Sequence, residues 1–130
     1  MMILAVVFSS INVEAQSLQT PRSASPAAQV SQTIGFTDIT VNYSRPKLVD
    51  SRGQDRSGKI WGQLVPYGFN QNFRGTVTPW RAGANENTTI TFSDDVKIQG
   101  KDLAAGTYGL HMAVYEDDKA TIIFSKNTTS

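Results

Sequence analysis

The sequence contains no cysteine and one histidine, and no apolar run in it is long enough to cross a membrane. Without cysteine there is no disulfide, thiolate metal site, iron–sulfur cluster or thiol nucleophile. One histidine leaves no His-based metal cage, and neither a metal nor any other cofactor is expected. Neither sign of charge prevails: 12 Lys and Arg stand against 11 Asp and Glu, for a net charge of +1. A polybasic nucleic-acid arm and an acidic disordered tail are thereby excluded as dominant features. No window shows a sustained apolar pattern at i, i+3, i+4 and i+7, so amphipathic helices are not expected. What remains is 130 residues with 39% hydrophobic content, enough for one domain around a single core of ordinary size.

The run from Ile3 to Ile11 is too short for a bilayer core, which takes about 20 helical residues. It matches the apolar region of a secretory signal, and Val13-x-Ala15 places small residues where signal peptidase cuts. Residues 1–15 are therefore expected to direct export, to the periplasm or the cell exterior. Met1-Met2 supplies no basic residue ahead of the run, so either the true start lies upstream or the signal is atypical. Residues 16–28 are rich in Ser, Pro, Gln and small side chains and read as a flexible linker, with the domain following over 29–130.

Period-two alternation then recurs. Val30, Ile34 and Phe36 mark one loose stripe; Ile39, Val41 and Tyr43 mark a clearer one. Ile90 and Phe92 alternate with threonines, and Val96 and Ile98 follow the Asp94-Asp95 pair. The cleanest stripe is Tyr108, Leu110, Met112 and Val114; Ala120, Ile122 and Phe124 resume after Glu116-Asp117-Asp118. Such alternation buries one face and solvates the other. It predicts an all-β fold, an antiparallel sandwich of jelly-roll type rather than a closed barrel, with hairpins at Asp94-Asp95 and Asp117-Asp118. The middle, residues 45–87, is rich in Gly, Pro, Arg and aromatics and has little periodicity, so it reads as a long irregular loop. Charge is divided along the chain: Gln16 to Arg81 carries +5 and Ala82 to Ser130 carries −3. The two parts are expected to face each other, or the basic loop to face a ligand.

Several motifs fall short of the chemistry they suggest. Gly53 to Lys59 fits seven positions of a phosphate-binding loop, but Ile60 stands where a magnesium-binding Ser or Thr is required. Trp61-Gly62 and Pro66-Tyr67-Gly68 leave no room for the helix that would receive the phosphate. His111 falls opposite the Tyr108–Met112 stripe, with Gly109 and Ala113, and no Gly-x-Ser-x-Gly elbow accompanies it. The aspartate pairs lack the ligand spacing of a calcium loop and are better read as turns.

The chemically richest segment is Trp80 to Glu86. Trp80 offers a flat apolar face, Arg81 a planar fork for carboxylate, phosphate or sugar hydroxyls, Asn85 a donor and an acceptor, and Glu86 a carboxylate. One reading is a structural corner in which Trp80 plugs the core and Arg81 pairs with Glu86 or another acid. The other is a small polar binding site completed by Arg45, Lys59 and Trp61.

Taken together, Val30-Ser-Gln-Thr-Ile-Gly35 through Tyr43-Ser-Arg-Pro46, Lys59-Ile-Trp-Gly62 through Pro66-Tyr-Gly68, and Trp80-Arg-Ala-Gly-Ala-Asn-Glu86 resemble the domain-of-unknown-function family numbered twenty-nine eleven, found mainly in exported proteins of Bacteroidota. The resemblance covers nearly all of the chain after the linker, and it implies an exported β-rich domain without implying an activity. Against that family, residues 49–57 and 69–78 look like insertions. The chain also stops at Ser130 where relatives continue, so a fragment with missing terminal strands is expected. The function expected is a non-enzymatic module of the cell envelope that binds a small polar ligand or glycan through Arg45, Lys59, Trp61, Trp80, Arg81, Asn85 and Glu86. The alternatives are a hydrolase using Glu86 and Arg81, and a purely structural envelope protein. No nucleic-acid partner and no membrane span are expected.

Overall fold

A computed structural model describes residues 24–71, 75 and 77–129. The expected signal, the linker up to residue 23 and part of the 69–78 insertion lie outside those residues. The described chain is all-β and antiparallel, sandwich-like and not a closed barrel. Its main sheet takes β1 (Ala27–Ile34), β2 (Thr37–Ser44), β5 (Thr89–Phe92), β8 (Gly106–Val114) and β9 (Ala120–Ser125) in the order β1-β2-β5-β8-β9. Two hairpins interrupt this up-and-down path: β3 (Asn70–Gln71) with β4 (Val77–Thr78), and β6 (Val96–Ile98) with β7 (Lys101–Leu103).

The alternating residues predicted to share a face do so. The register sets Val41 beside Ile90 and Ile90 beside Tyr108, while Leu110 faces Phe124 and Met112 faces Ile122. On that face Phe92, Tyr108 and Phe124 pack in a triangle with ring centroids 6.1–6.4 Å apart. Phe92, Tyr108 and Leu110 are buried, and the Tyr108 hydroxyl donates to the Ala104 carbonyl at 2.8 Å, so its polar tip is satisfied. The opposite face is hydroxylated: Ser31 meets Thr40 and Thr91 meets Thr107 through hydroxyl pairs at 2.9 Å. His111 lies on this second face, opposite Ile123, as its parity requires.

Two expectations need correcting. The Asp94-Asp95 pair does not join β5 to β6 as a hairpin. β5 pairs with β2 and β8, whereas β6 pairs with β7, a strand whose three residues carry too weak an alternation to read. The turn between β6 and β7 is Gln99-Gly100, both at positive φ (50° and 78°), the two-residue geometry whose twist suits a hairpin. Phe36 is not a strand residue but sits in the β1–β2 turn beside Gly35 (φ 65°), fully exposed. The Asp117-Asp118 hairpin does form, closed by the Tyr115 amide on the Lys119 carbonyl with Asp118 at φ 59°.

The end of the expected linker is part of the fold. β1 begins at Ala27, and before it the Pro26 and Ala24 carbonyls accept from the Arg45 and Lys47 amides. Proline is tolerated here because only its carbonyl is needed at an edge.

Candidate functional site

The middle segment is knit by its own short-range bonds. Asp50 accepts from the Arg52 and Gln54 amides at 2.8 and 2.9 Å and pairs with Arg56 at 3.7 Å. Asp55 accepts from the Ser57 amide and hydroxyl. The Gln54 amide is the largest influence holding the Asp50 carboxyl below the usual carboxylate range, and the Ser57 hydroxyl does the same for Asp55. These turns fill the stretch that resembles a phosphate loop, and no helix follows it. Its glycines serve the turns instead: Gly53 and Gly58 stand at φ 79° and 69°.

Residues 59–65 form a second tight loop, with the Val65 amide on the Ile60 carbonyl and the Gly62 amide on the Val65 carbonyl, both at 2.8 Å. Val65 is its buried anchor. Trp61 projects from this loop and meets Trp80 edge to face, centroids 5.9 Å apart. Trp80 is itself held to β8 by a reciprocal backbone pair with Met112, at 2.9 and 2.7 Å. The loop continues to Gly68, whose amide donates to the Val114 carbonyl at 2.7 Å and ties it to the end of β8.

This places Trp61, Tyr67 and Tyr115, which are 55%, 40% and 39% exposed, around one cleft of about 210 Å3. Val114 and Ala120 line it, with Asp118 and Lys119 supplying polar groups. Gly62 makes room for the Tyr67 ring: a Cβ there would come within 2.8 Å of it.

Residues 81–87 make a corner between Trp80 and β5. The Arg81 guanidinium donates to the Asn85 carbonyl at 2.7 Å, not to Glu86. Ser44 donates to the Glu86 carboxylate at 3.2 Å, and buried Thr88 donates to the Ala82 carbonyl at 3.2 Å. Ala82 and Asn85 hold positive φ, 55° and 61°. Gly83 lies so close to β2 that a Cβ would sit 2.9 Å from the Thr88 hydroxyl and 3.1 Å from the Ser44 carbonyl.

The seven residues singled out in the sequence therefore divide. Trp61 meets Trp80, and Arg81 meets the Asn85 backbone. Trp80 and Arg81 line a cleft with Asn87 and His111, while Glu86 lines another with Ala27, Gln29 and Asn42. Arg45 and Lys59 are exposed and line neither of these nor the aromatic cleft. Sequence reasoning missed Tyr67, Tyr115, Asp118 and Lys119. The Pro66-Tyr-Gly68 motif held the clue to Tyr67, but nothing local signals Tyr115, whose neighbours read only as a turn. Among the described residues no three His, Asp or Glu side chains converge as a metal site needs, and no helix is long and apolar enough to cross a membrane.

Comparison with curated proteins and with solved structures found no match. The family described as "Protein of unknown function (DUF2911)" matches residues 25–130, a span that holds the whole sheet and all three clefts, and the chain belongs to that family.

Proposed function

We propose that this protein is an exported, non-enzymatic binding module of the cell envelope whose ligand is a glycan, held at the cleft of Trp61, Tyr67 and Tyr115. The observation behind this reading is that three partly exposed aromatic rings, two from the 59–68 loop and one just after β8, surround one concavity with Asp118 and Lys119 beside them. Aromatic faces bury the apolar C–H face of a sugar ring, and charged groups hydrogen-bond its hydroxyls. At about 210 Å3 the cleft suits one ring of a chain rather than a long stretch of it. The apolar run ahead of Val13-x-Ala15 supports export. The hydrolase alternative has less behind it. Among the described residues lining the cleft at Glu86 there is no second carboxylate, which glycoside hydrolysis ordinarily needs, and Arg81 does not line that cleft.

The test is titration calorimetry of the folded protein against neutral oligosaccharides of several linkages. Trp61→Ala and Tyr115→Ala should each weaken binding at least tenfold, as expected for aromatic anchors. Failure of every oligosaccharide to bind, or binding that survives both substitutions, refutes the reading.

A further inference from the structure

A second concavity, of about 560 Å3, is lined among others by Leu64, Pro66, Trp80, Arg81, Asn87 and His111. It shares no lining residue with the aromatic cleft. Among its described lining residues none is acidic, and Arg81 supplies a permanent positive charge. Arg56, Lys97 and Lys119 are each paired with an aspartate, which offsets their charge. Arg81 instead spends one N–H on the Asn85 carbonyl, a neutral acceptor that orients the fork without neutralising it. Its other donors keep the planar geometry that suits a two-oxygen anion.

The loop beneath this arginine is built to hold it. The Ala84 amide donates to the Ser44 carbonyl, Thr88 donates to the Ala82 carbonyl, and Gly83 is pressed against Ser44. Two non-glycine residues, Ala82 and Asn85, keep left-handed backbone within five positions. Backbone strain of this kind gathers at ligand clamps and persists only where the surroundings impose it. Fixing the side chain in advance removes part of the ordering entropy that binding otherwise costs. His111 lines the same concavity with a ring able to donate an N–H, and Trp80 gives it an apolar wall.

We propose that this cleft is an oxyanion site, in which the Arg81 guanidinium takes two oxygens of a carboxylate, phosphate or sulfate group. The volume falls within the roughly 300–1,000 Å3 of small-molecule sites, so it accommodates the anion together with the body of a small organic ligand. The site goes beyond the aromatic cleft and does not rest on the glycan reading, although Trp80 of one packs against Trp61 of the other.

The experiment is calorimetric titration of the protein with glucuronate, inorganic phosphate and glucose at low ionic strength. Glucuronate or phosphate is expected to bind at least tenfold more tightly than glucose, and the binding to weaken as salt is added. Arg81→Gln should reduce it at least tenfold, and Arg81→Lys should restore part of it. Loss of the preference for anion over glucose in a folded Arg81→Gln, with that preference and its salt dependence returning in Arg81→Lys, is what a merely structural arginine would not produce. Tighter binding of glucuronate assigns the site to an acid-bearing sugar; tighter binding of phosphate assigns it to a free oxyanion. The proposal is overturned if neither anion binds better than glucose, or if Arg81→Gln retains full affinity while remaining folded by circular dichroism. Loss of neutral-glycan binding in Tyr115→Ala is a separate readout, so failure of one proposal is distinguished from failure of the other.

Discussion

Gly83→Ala isolates one close approach on which the corner of residues 81–87 depends. Gly83 does not occupy the left-handed region, so alanine brings no backbone penalty there. The added methyl carbon, however, would stand 2.9 Å from the Thr88 hydroxyl and 3.1 Å from the Ser44 carbonyl, against an ordinary contact of 3.4 Å or more. Neither neighbour yields easily. Thr88 is 2% exposed and bonded to Ala82, and the Ser44 carbonyl is main chain at the end of β2. Overpacking of this kind costs about 1–3 kcal/mol. At roughly 4–8 °C per kcal/mol for a domain of this size, Tm should fall by about 4 °C or more. Differential scanning calorimetry reads that change directly, with Gly53→Ala as the opposite control: positive φ, but nothing within 4 Å of the new carbon. Thr88→Ala removes the nearest atom, so the Gly83→Ala penalty should shrink in that background, a coupling that a double-mutant cycle measures. A Gly83→Ala protein whose Tm matches the wild type, or a penalty the same with and without the Thr88 hydroxyl, would refute the close-contact argument.

Other outcomes follow from the same packing. Phe92→Ala should cost about 3–5 kcal/mol by removing one corner of the aromatic triangle, whereas Phe36→Ala, at a fully exposed turn, should leave the urea midpoint within error. Asp50 and Asp55 are held below the usual carboxylate range, so the folded chain binds fewer protons than the unfolded one. Their stabilisation is whole above about pH 4, where the unfolded carboxylates ionise, and is lost as pH falls through the folded values. Amide chemical shifts of Arg52, Gln54 and Ser57 should accordingly move together on acidification, and Asp50→Asn should abolish the change at Arg52 and Gln54. Gly62→Ala, at φ 75° with the Tyr67 ring 2.8 Å from the new carbon, should displace Tyr67 and weaken binding at the aromatic cleft more than it lowers Tm. Tyrosine fluorescence and calorimetric titration check the two effects separately.

Strands were legible where alternation is dense. Ile39 to Tyr43, Ile90 with Phe92, Tyr108 to Val114 and Ala120 to Phe124 each announce one apolar face within a few residues, because a pleated strand turns every second side chain the same way. The β6–β7 hairpin was harder, since three-residue strands carry almost no period and the pairing is settled by the Gln99-Gly100 turn. The corner at 81–87 was visible as a cluster of polar types, but not its bonding. Whether Arg81 meets Glu86 or the Asn85 carbonyl depends on where Ala82 and Asn85 turn left-handed, and Gly83 against Ser44 decides that across 39 positions of chain.

The sequence alone determined the all-β class, the strand faces, the placement of His111 opposite the apolar stripe, and the absence of thiol chemistry. These are local matters: side-chain period, residue inventory and turn chemistry act over a few neighbours. Only tertiary structure decided that Trp61, Tyr67 and Tyr115 share a cleft while Lys59 and Arg45 do not. The cleft closes through the Gly68 amide on the Val114 carbonyl, a bond between residues 46 apart, and no pattern along the chain encodes which distant backbone groups will find one another.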